Sequence, residues 1–314
     1  MLVLPKASWW RYVRRYSGSE LPRTKYRIAG VLLVGVLVTF IEEHHDWHPN
    51  LTPLPFTLVG VALGIFLGFR NNASYDRWWE GRKIWGSATN GARSLTRQIL
   101  TLVGPQPGAT EVDTAAVARL HTELVHRVIA WAHALRLSLR AEDGATTLAR
   151  LLPAEEVERL TTQSNPAYAI TQGTADRLRD AYARGWVHPM HLVVLEQSLT
   201  SLTDVQGAAE RIQNTPIPFS YTTLIHRITA VYCYALPFGV VDTVGLFTPF
   251  VVGIVAYAFF GLDVIGEEID MPFGKDPNDL PLNAITRTIE INLRQRLGET
   301  DLPPMLVPID DVLD

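Results

Sequence analysis

Charge, cysteine and catalytic motifs are all scarce in this chain. Charged residues make up 19% of its 314 residues, against about a quarter in ordinary soluble domains. Cysteine occurs once, at Cys233, so no internal disulfide forms and stability must come from packing, lipid or assembly. No basic excess exists either: 28 Lys+Arg face 32 Asp+Glu, a formal net charge of −4, which excludes the footprint of a nucleic-acid binder. No HExxH, Walker A, GxGxxG or GxSxG pattern occurs, so an enzymatic reading has no motif behind it. Period-2 runs of useful length are missing, which removes any reason to assign a sheet. Internal repeats and low-complexity segments are absent. A cleavable signal peptide is not expected, because the first apolar stretch ends in Glu42-Glu43-His44-His45 rather than in small residues.

What the chain does have is apolar residues, 47% of the total, gathered into four blocks. Ile28 to Ile41 carries no charge, nor does Pro55 to Phe69, which opens on a proline suited to a first helical turn. Ile217 to Val241 is apolar but for His226, Arg227 and scattered hydroxyls, and Thr243 to Leu262 is uncharged between Asp242 and Asp263. A lone helix needs about 20 apolar residues to cross the hydrocarbon core, and only the last block meets that by itself. The others read either as buried protein helices or as spans with polar or protein-covered ends, and four blocks in one chain favour membrane spans.

Loop charge orients them. Residues 1–27 hold Lys6, Arg11, Arg14, Arg15, Arg23, Lys25 and Arg27 against Glu20, whereas 42–54 hold Glu42, Glu43 and Asp46 and no Lys or Arg. Arg70, Arg77, Arg82, Lys83, Arg93 and Arg97 follow the second block. The positive-inside rule places both termini in the cytoplasm and the 42–54 loop outside. Trp9, Trp10, Trp78 and Trp79 flank the cytoplasmic ends, where amphipathic rings favour the interface. The expected organisation is a cytosolic segment 1–27, spans one and two within 28–69, a helical cytosolic domain 70–216, spans three and four within 217–262, and a cytosolic tail 263–314. Within the domain, Val117, Leu120, Leu124, Val128, Trp131 and Leu135 recur at helical spacing, as do Leu192, Leu195, Leu199, Leu202, Ala209 and Ile212, with Gln206 in the gap.

Two clusters invite a chemical reading. Glu42, Glu43, His44, His45, Asp46 and His48 are metal-donor types, but neighbours in a helix diverge, so this set reads first as a polar outer loop with adventitious divalent binding. His121, His126 and His133 lie along an amphipathic helix and read as packing or surface groups. In the second block Gly60, Gly64 and Gly68 stand four apart, a spacing that admits close helix approach. Val61, Ile65 and Phe69 form the neighbouring stripe. On pattern alone it is a lipid or packing face; repeated about a symmetry axis it would make stacked apolar rings that gate by dewetting. Next come Arg70, Asn71, Asn72, Asp76, Arg77, Trp78, Trp79 and Glu80. Charges at a membrane edge need partners, and helical spacing offers Asp76 to Arg70 or Arg77, and Glu80 to Arg77.

The run Phe69-Arg-Asn-Asn-Ala-Ser-Tyr-Asp-Arg-Trp-Trp-Glu-Gly-Arg82 closely resembles the bestrophin ion channels in their prokaryotic branch. Ile217-Pro-Phe-Ser-Tyr-Thr222 and Met271-Pro-Phe-Gly-Lys-Asp-Pro-Asn-Asp279 agree with it, in order along most of the chain. The resemblance implies an all-α membrane protein with four transmembrane helices per subunit and a large cytosolic helical domain. It also implies a homopentamer around one axial pore in the inner membrane. By that likeness the apolar neck falls on Val61, Ile65 and Phe69, and a cytosolic aperture on Met190, after Pro189 and near His188. Eukaryotic members bind calcium after Pro-Phe-Gly; here Asp276 and Asp279 remain, but Lys275, Pro277 and Asn278 interrupt the run, and a lysine opposes a hard-cation site. No calcium gate and no required cofactor are expected. For selectivity, the candidate vestibule carboxylates are Asp263, Glu267, Glu268 and Asp270 and those of the outer loop, the alternative being salt bridges with the N-terminal basic cluster. Five copies of the chain sum to roughly −20, which favours monovalent cations such as Na+ and K+. An anion channel for chloride or bicarbonate on the same architecture is the rival, and a membrane-anchored scaffold or metal-handling protein a more distant one. The expected partners are lipid, copies of itself and permeating ions.

Overall fold

The computed structural model describes residues 1–3, 8–14, 16, 18–45, 51–106 and 113–314, with backbone alone at 11 and 12. Eleven α-helices run in order through the described residues: α1 (Trp9–Val13), α2 (Leu21–His45), α3 (Pro53–Leu102), α4 (Thr114–Leu139), α5 (Ala145–Leu148), α6 (Ala154–Thr161), α7 (Pro166–Ala183), α8 (Pro189–Asn214), α9 (Phe219–Val244), α10 (Thr248–Asp270) and α11 (Leu282–Arg296). No strand forms among the described residues, only isolated bridges such as Val103 with Val187.

Three continuous helical stretches are long and apolar enough to cross a membrane: α2, α3, and Phe219–Asp270, in which a 3-10 turn at Gly245–Phe247 joins α9 to α10. The third stretch holds two spans, and the fourth apolar block is corrected at its start: Thr243 and Val244 end α9, and α10 opens at Thr248 after the turn. Gly245 makes the tight turn with φ +58, a backbone region open to glycine at little cost. Apolar-run length underestimates the helices, because polar residues at a membrane edge continue a helix without cost. The expected outer loop is therefore corrected at its start: Glu42 to His45 belong to α2, and His44 stacks on Phe40. The boundary placed between residues 69 and 70 lies inside α3, which runs unbroken for 50 residues, about 75 Å at 1.5 Å per residue.

Two layers of core result. In one, α2, α9 and α10 enclose Val31, Cys233, Leu236, Val252, Ala256 and Phe260, while Leu63 and Leu67 of α3 meet Ile225 of α9. Around them a broad apolar surface stays open, with Leu33, Phe40, Leu58, Val231, Phe250 and Ile254 all exposed. Such a surface is untenable in water and is what lipid or further subunits would cover. In the other layer the second half of α3 packs with α4, α7, α8 and α11 around Trp85, Trp131, Leu124, Ile129 and Leu195. The two seams read from the sequence line this core from Leu120 and Leu192 onward, and Gln206 in the gap is satisfied by Asn165 and Glu210, both at 2.8 Å.

Candidate functional site: the exposed stripe of the long helix

Helix α3 has two faces at membrane level. Leu63, Leu67, Arg70 and Ser74 point inward and are buried. Val61, Ile65 and Phe69 stand on the other side, 60%, 53% and 63% exposed. The glycine series divides in the same way. A methyl on Gly60 would strike the Tyr232 hydroxyl, whereas Gly64 and Gly68 face open space. The close packing at Gly60 is thus internal to the subunit, and the Val61 stripe is left free for lipid, a second subunit or a pore.

Directly below the stripe lies a charge cluster, centred on a buried pair, that joins four helices. Arg70 meets Asp263 of α10 at 2.5 Å, and both side chains are almost fully enclosed. The other Asp263 oxygen lies 2.6 Å from Nδ1 of His226 on α9 and 3.8 Å from Arg27 on α2. Arg77 pairs with Asp270 at 2.7 Å and donates to the carbonyls of Ile212 at 2.8 Å and Thr215 at 2.6 Å. It therefore closes the C-terminal ends of α8 and α10, where exposed carbonyls attract a cation. Glu80 pairs with Arg211 of α8 at 2.5 Å. Trp78 donates to the Asn278 carbonyl at 3.0 Å, and its ring lies near Trp79, which is exposed. Asn71 packs against Gly266, where a Cβ would collide with its side-chain oxygen, and Asn72 is exposed.

These contacts correct the pairings drawn from helical spacing. Arg70 and Arg77 bond to α10 rather than to Asp76, and Glu80 bonds to α8 rather than to Arg77. Spacing along one helix offers only local partners, whereas a buried arginine takes whichever carboxylate the fold brings to it. The vestibule assignment changes for the same reason. Asp263 is enclosed in ion pairs, Asp270 is held by Arg77, and Glu268 is held by Arg23 at 3.7 Å and Asn278 at 3.1 Å. Of these four α10 carboxylates only Glu267 is exposed. The alternative expectation, salt bridges to the N-terminal basic cluster, is met in part: Arg23 reaches Glu268 and Arg27 lies 3.8 Å from Asp263, whereas the nearest partners of Asp263 and Asp270 are Arg70 and Arg77 of α3.

On α3 itself, where Glu80 is paired, Asp76 is the carboxylate left over. It is exposed, and no partner reaches it among the described residues. It lies seven residues past Phe69, two turns along the same face and about 10 Å further down the axis. Lys83 is the next unpaired charge on that face, two turns beyond Asp76.

Met190 is 69% exposed at the first turn of α8, where His188 accepts a hydrogen bond from its backbone N–H at 3.2 Å. Pro189 occupies the first helical position, where it lacks no needed donor. In the Pro-Phe-Gly segment Asp276 pairs with Arg23 at 2.9 Å and Lys275 with Glu142 at 2.6 Å. Asp279 is buried, accepts from the Asp276 N–H at 2.8 Å, and is pushed up to about 7 by its burial. Among the described residues no three His, Cys, Asp or Glu side chains converge on a metal position. His44 and His45 are exposed at the end of α2, while Asp46 and His48 lie outside the described residues. His226 and Arg227 have no role in the sequence reading, although ionisable groups inside an apolar block are the available signal.

Known proteins supply an independent comparison. The family model described as Bacterial/Fungal Bestrophin protein matches residues 1–295. A voltage-dependent anion channel-forming protein of Ralstonia nicotianae is 39% identical over 305 residues, covering 96% of each chain. Another of that description from Escherichia coli K12 is 36% identical, covering 98% of each. A crystal structure of a bacterial bestrophin homologue from Klebsiella pneumoniae superposes with a TM-score of 0.80 at 33% identity, over 88% of this chain and 98% of that one.

Proposed function

Because the chain belongs to the bacterial and fungal bestrophin family and is a bestrophin-type membrane channel, we propose that it assembles as a homopentamer in the inner membrane and passes monovalent cations, with both termini cytoplasmic. Val61, Ile65 and Phe69 form the apolar neck in this reading, and Met190 forms the cytosolic aperture. The observation that carries it is the exposed stripe of α3 continued by an unpaired carboxylate. Five copies of the stripe would stack three apolar rings, which resist wetting without choosing a sign of charge. Selection then falls to the nearest free charge. A ring of Asp76 stands about 10 Å from Phe69, near the Debye length at physiological salt, while Lys83 lies twice as far and is more strongly screened. This chemistry needs no cofactor and no reacting group, so we read the protein as a channel and not an enzyme.

A second reading, anion conduction, is favoured by the names of the relatives, which are called anion channel-forming. Reversal potentials of purified protein in a KCl gradient separate the two by sign. The expected result is reversal toward the potassium equilibrium potential, moved toward zero by Asp76→Asn. Reversal toward the chloride potential would overturn the cation reading, and an unchanged value in the variant would remove Asp76 from selectivity.

A further inference from the structure

Far along α3 from the stripe, a cavity of about 640 Å³ opens between its last turns and α11. Arg93, Arg97 and Arg296 line it, with Thr96, Leu100 and Asn292 among the remaining walls, and no carboxylate does. Arg93 is held in place by the side-chain oxygen of Asn292, at 2.6 and 3.2 Å. Arg97 and Arg296 are exposed and make no ion pair or hydrogen bond with the described residues. The ordinary explanation for such arginines is service to helix ends, since cations favour the carbonyl terminus of a helix. Backbone groups already serve both ends here: Val103 N–H closes on Ile99, and Leu297, Gly298 and Glu299 N–H close on the last turn of α11.

Thr96 is the second, independent observation. A threonine inside a helix usually satisfies its hydroxyl on the carbonyl four residues back. Thr89 and Thr101 on this same helix do so, at 2.9 and 2.8 Å. Thr96 is only 1% exposed, and its hydroxyl has no partner. A buried hydroxyl left unpaired is costly, and its residue borders the arginine-lined cavity.

We propose that the cavity binds a soluble, phosphate-bearing organic anion. Guanidinium forks match the paired oxygens of a phosphate, and a small shift of the Thr96 side chain would add its unpaired hydroxyl as a further donor. The cavity lies within the usual range for small-molecule sites and far exceeds one phosphate, while Leu100 and Leu293 provide apolar wall for an organic body. Position argues for a soluble source over a lipid headgroup. The cavity is not at the membrane edge: Thr96 lies 27 residues past Phe69, about 40 Å along the helix and well beyond the interfacial layer.

The test uses the intact detergent-purified chain and inorganic pyrophosphate as probe, read by calorimetry and thermal shift against sodium sulfate and sodium chloride at matched ionic strength. Saturable stabilisation by pyrophosphate is expected, with affinity about tenfold weaker in Arg97→Ala and in Arg296→Ala, the size of one lost charge-assisted hydrogen bond. Thr96→Val should weaken binding several-fold. Should an alanine variant not fold, Arg97→Lys keeps the charge and removes the fork: weakened binding supports the site, and unchanged binding overturns it. A stabilisation reproduced by sulfate or chloride, or one undiminished by these substitutions, would also overturn it. So would binding only to vesicles bearing phospholipid headgroups, which would assign the arginines to a membrane surface.

Discussion

Arg70 and Asp263 lie 193 positions apart in sequence yet meet at 2.5 Å with nearly all solvent excluded. A buried pair of this kind adds little over a well-packed apolar pair, but breaking it strands a charge and costs about 3–5 kcal/mol. Asp263→Asn is therefore expected to lower the melting temperature of the detergent-solubilised protein sharply, since Arg70, Arg27 and His226 lose a shared carboxylate. The double variant Arg70→Met, Asp263→Leu should recover most of the loss. An Asp263→Asn protein as stable as the parent would contradict the buried pairing. Asp279 makes a separate case at the same scale. Burial raises its carboxyl to about 7 in the fold from 3.8, so the folded state penalises ionisation. Its contribution is most favourable below about pH 4 and is lost as pH rises through 7. Asp279→Asn is expected to raise the melting temperature at pH 8 relative to the parent and to show little difference near pH 4. The same difference at both pH values would show that the ionisation of Asp279 is not what costs stability.

Among the elements, the contact of α3 with α9 sets how the membrane helices sit. Gly239 of α9 lies under the ring of Phe56, and any Cβ there would overlap that ring. Overpacking typically costs about 1–3 kcal/mol, so Gly239→Ala should lower the melting temperature, and adding Phe56→Leu should restore part of it. No change on Gly239→Ala would mean the two helices are not packed as described. The elements themselves are largely legible in the sequence, because hydrophobic blocks and 3.6-residue periodicity are local properties. Leu120 to Leu135 and Leu195 to Ile212 line the core that their spacing implies. Helix ends are less legible: Leu21 to Arg27 and Glu42 to His45 are mostly polar or charged, and nothing local separates a polar helix turn from a loop. Pairings across helices are the least legible. The partner of Arg70 is on α10, and that of Glu80 is on α8, at separations where one sequence carries no contact information. That is why Asp76, given a partner by spacing, stands free, and why Asp263, given to a vestibule, is enclosed.

For the whole molecule, scarce charge and moderate hydropathy describe one partition. A water-facing helical body carries most of the polar residues, and the spans leave an apolar girdle exposed around a single chain. The girdle and the free stripe of α3 are two surfaces with different needs, and a closed ring of subunits meets both: lipid against one, a shared axis along the other. Fivefold assembly enters from the family likeness and is checked by the mass of the purified particle, expected at five chains. In the proposed assembly Val61, Ile65 and Phe69 are the constriction. Ion flux through proteoliposomes tests it directly, comparing the parent with Val61→Ala, Ile65→Ala, Phe69→Ala combined. A several-fold rise in flux with the assembly intact is the expected result; flux equal to the parent's would contradict the account.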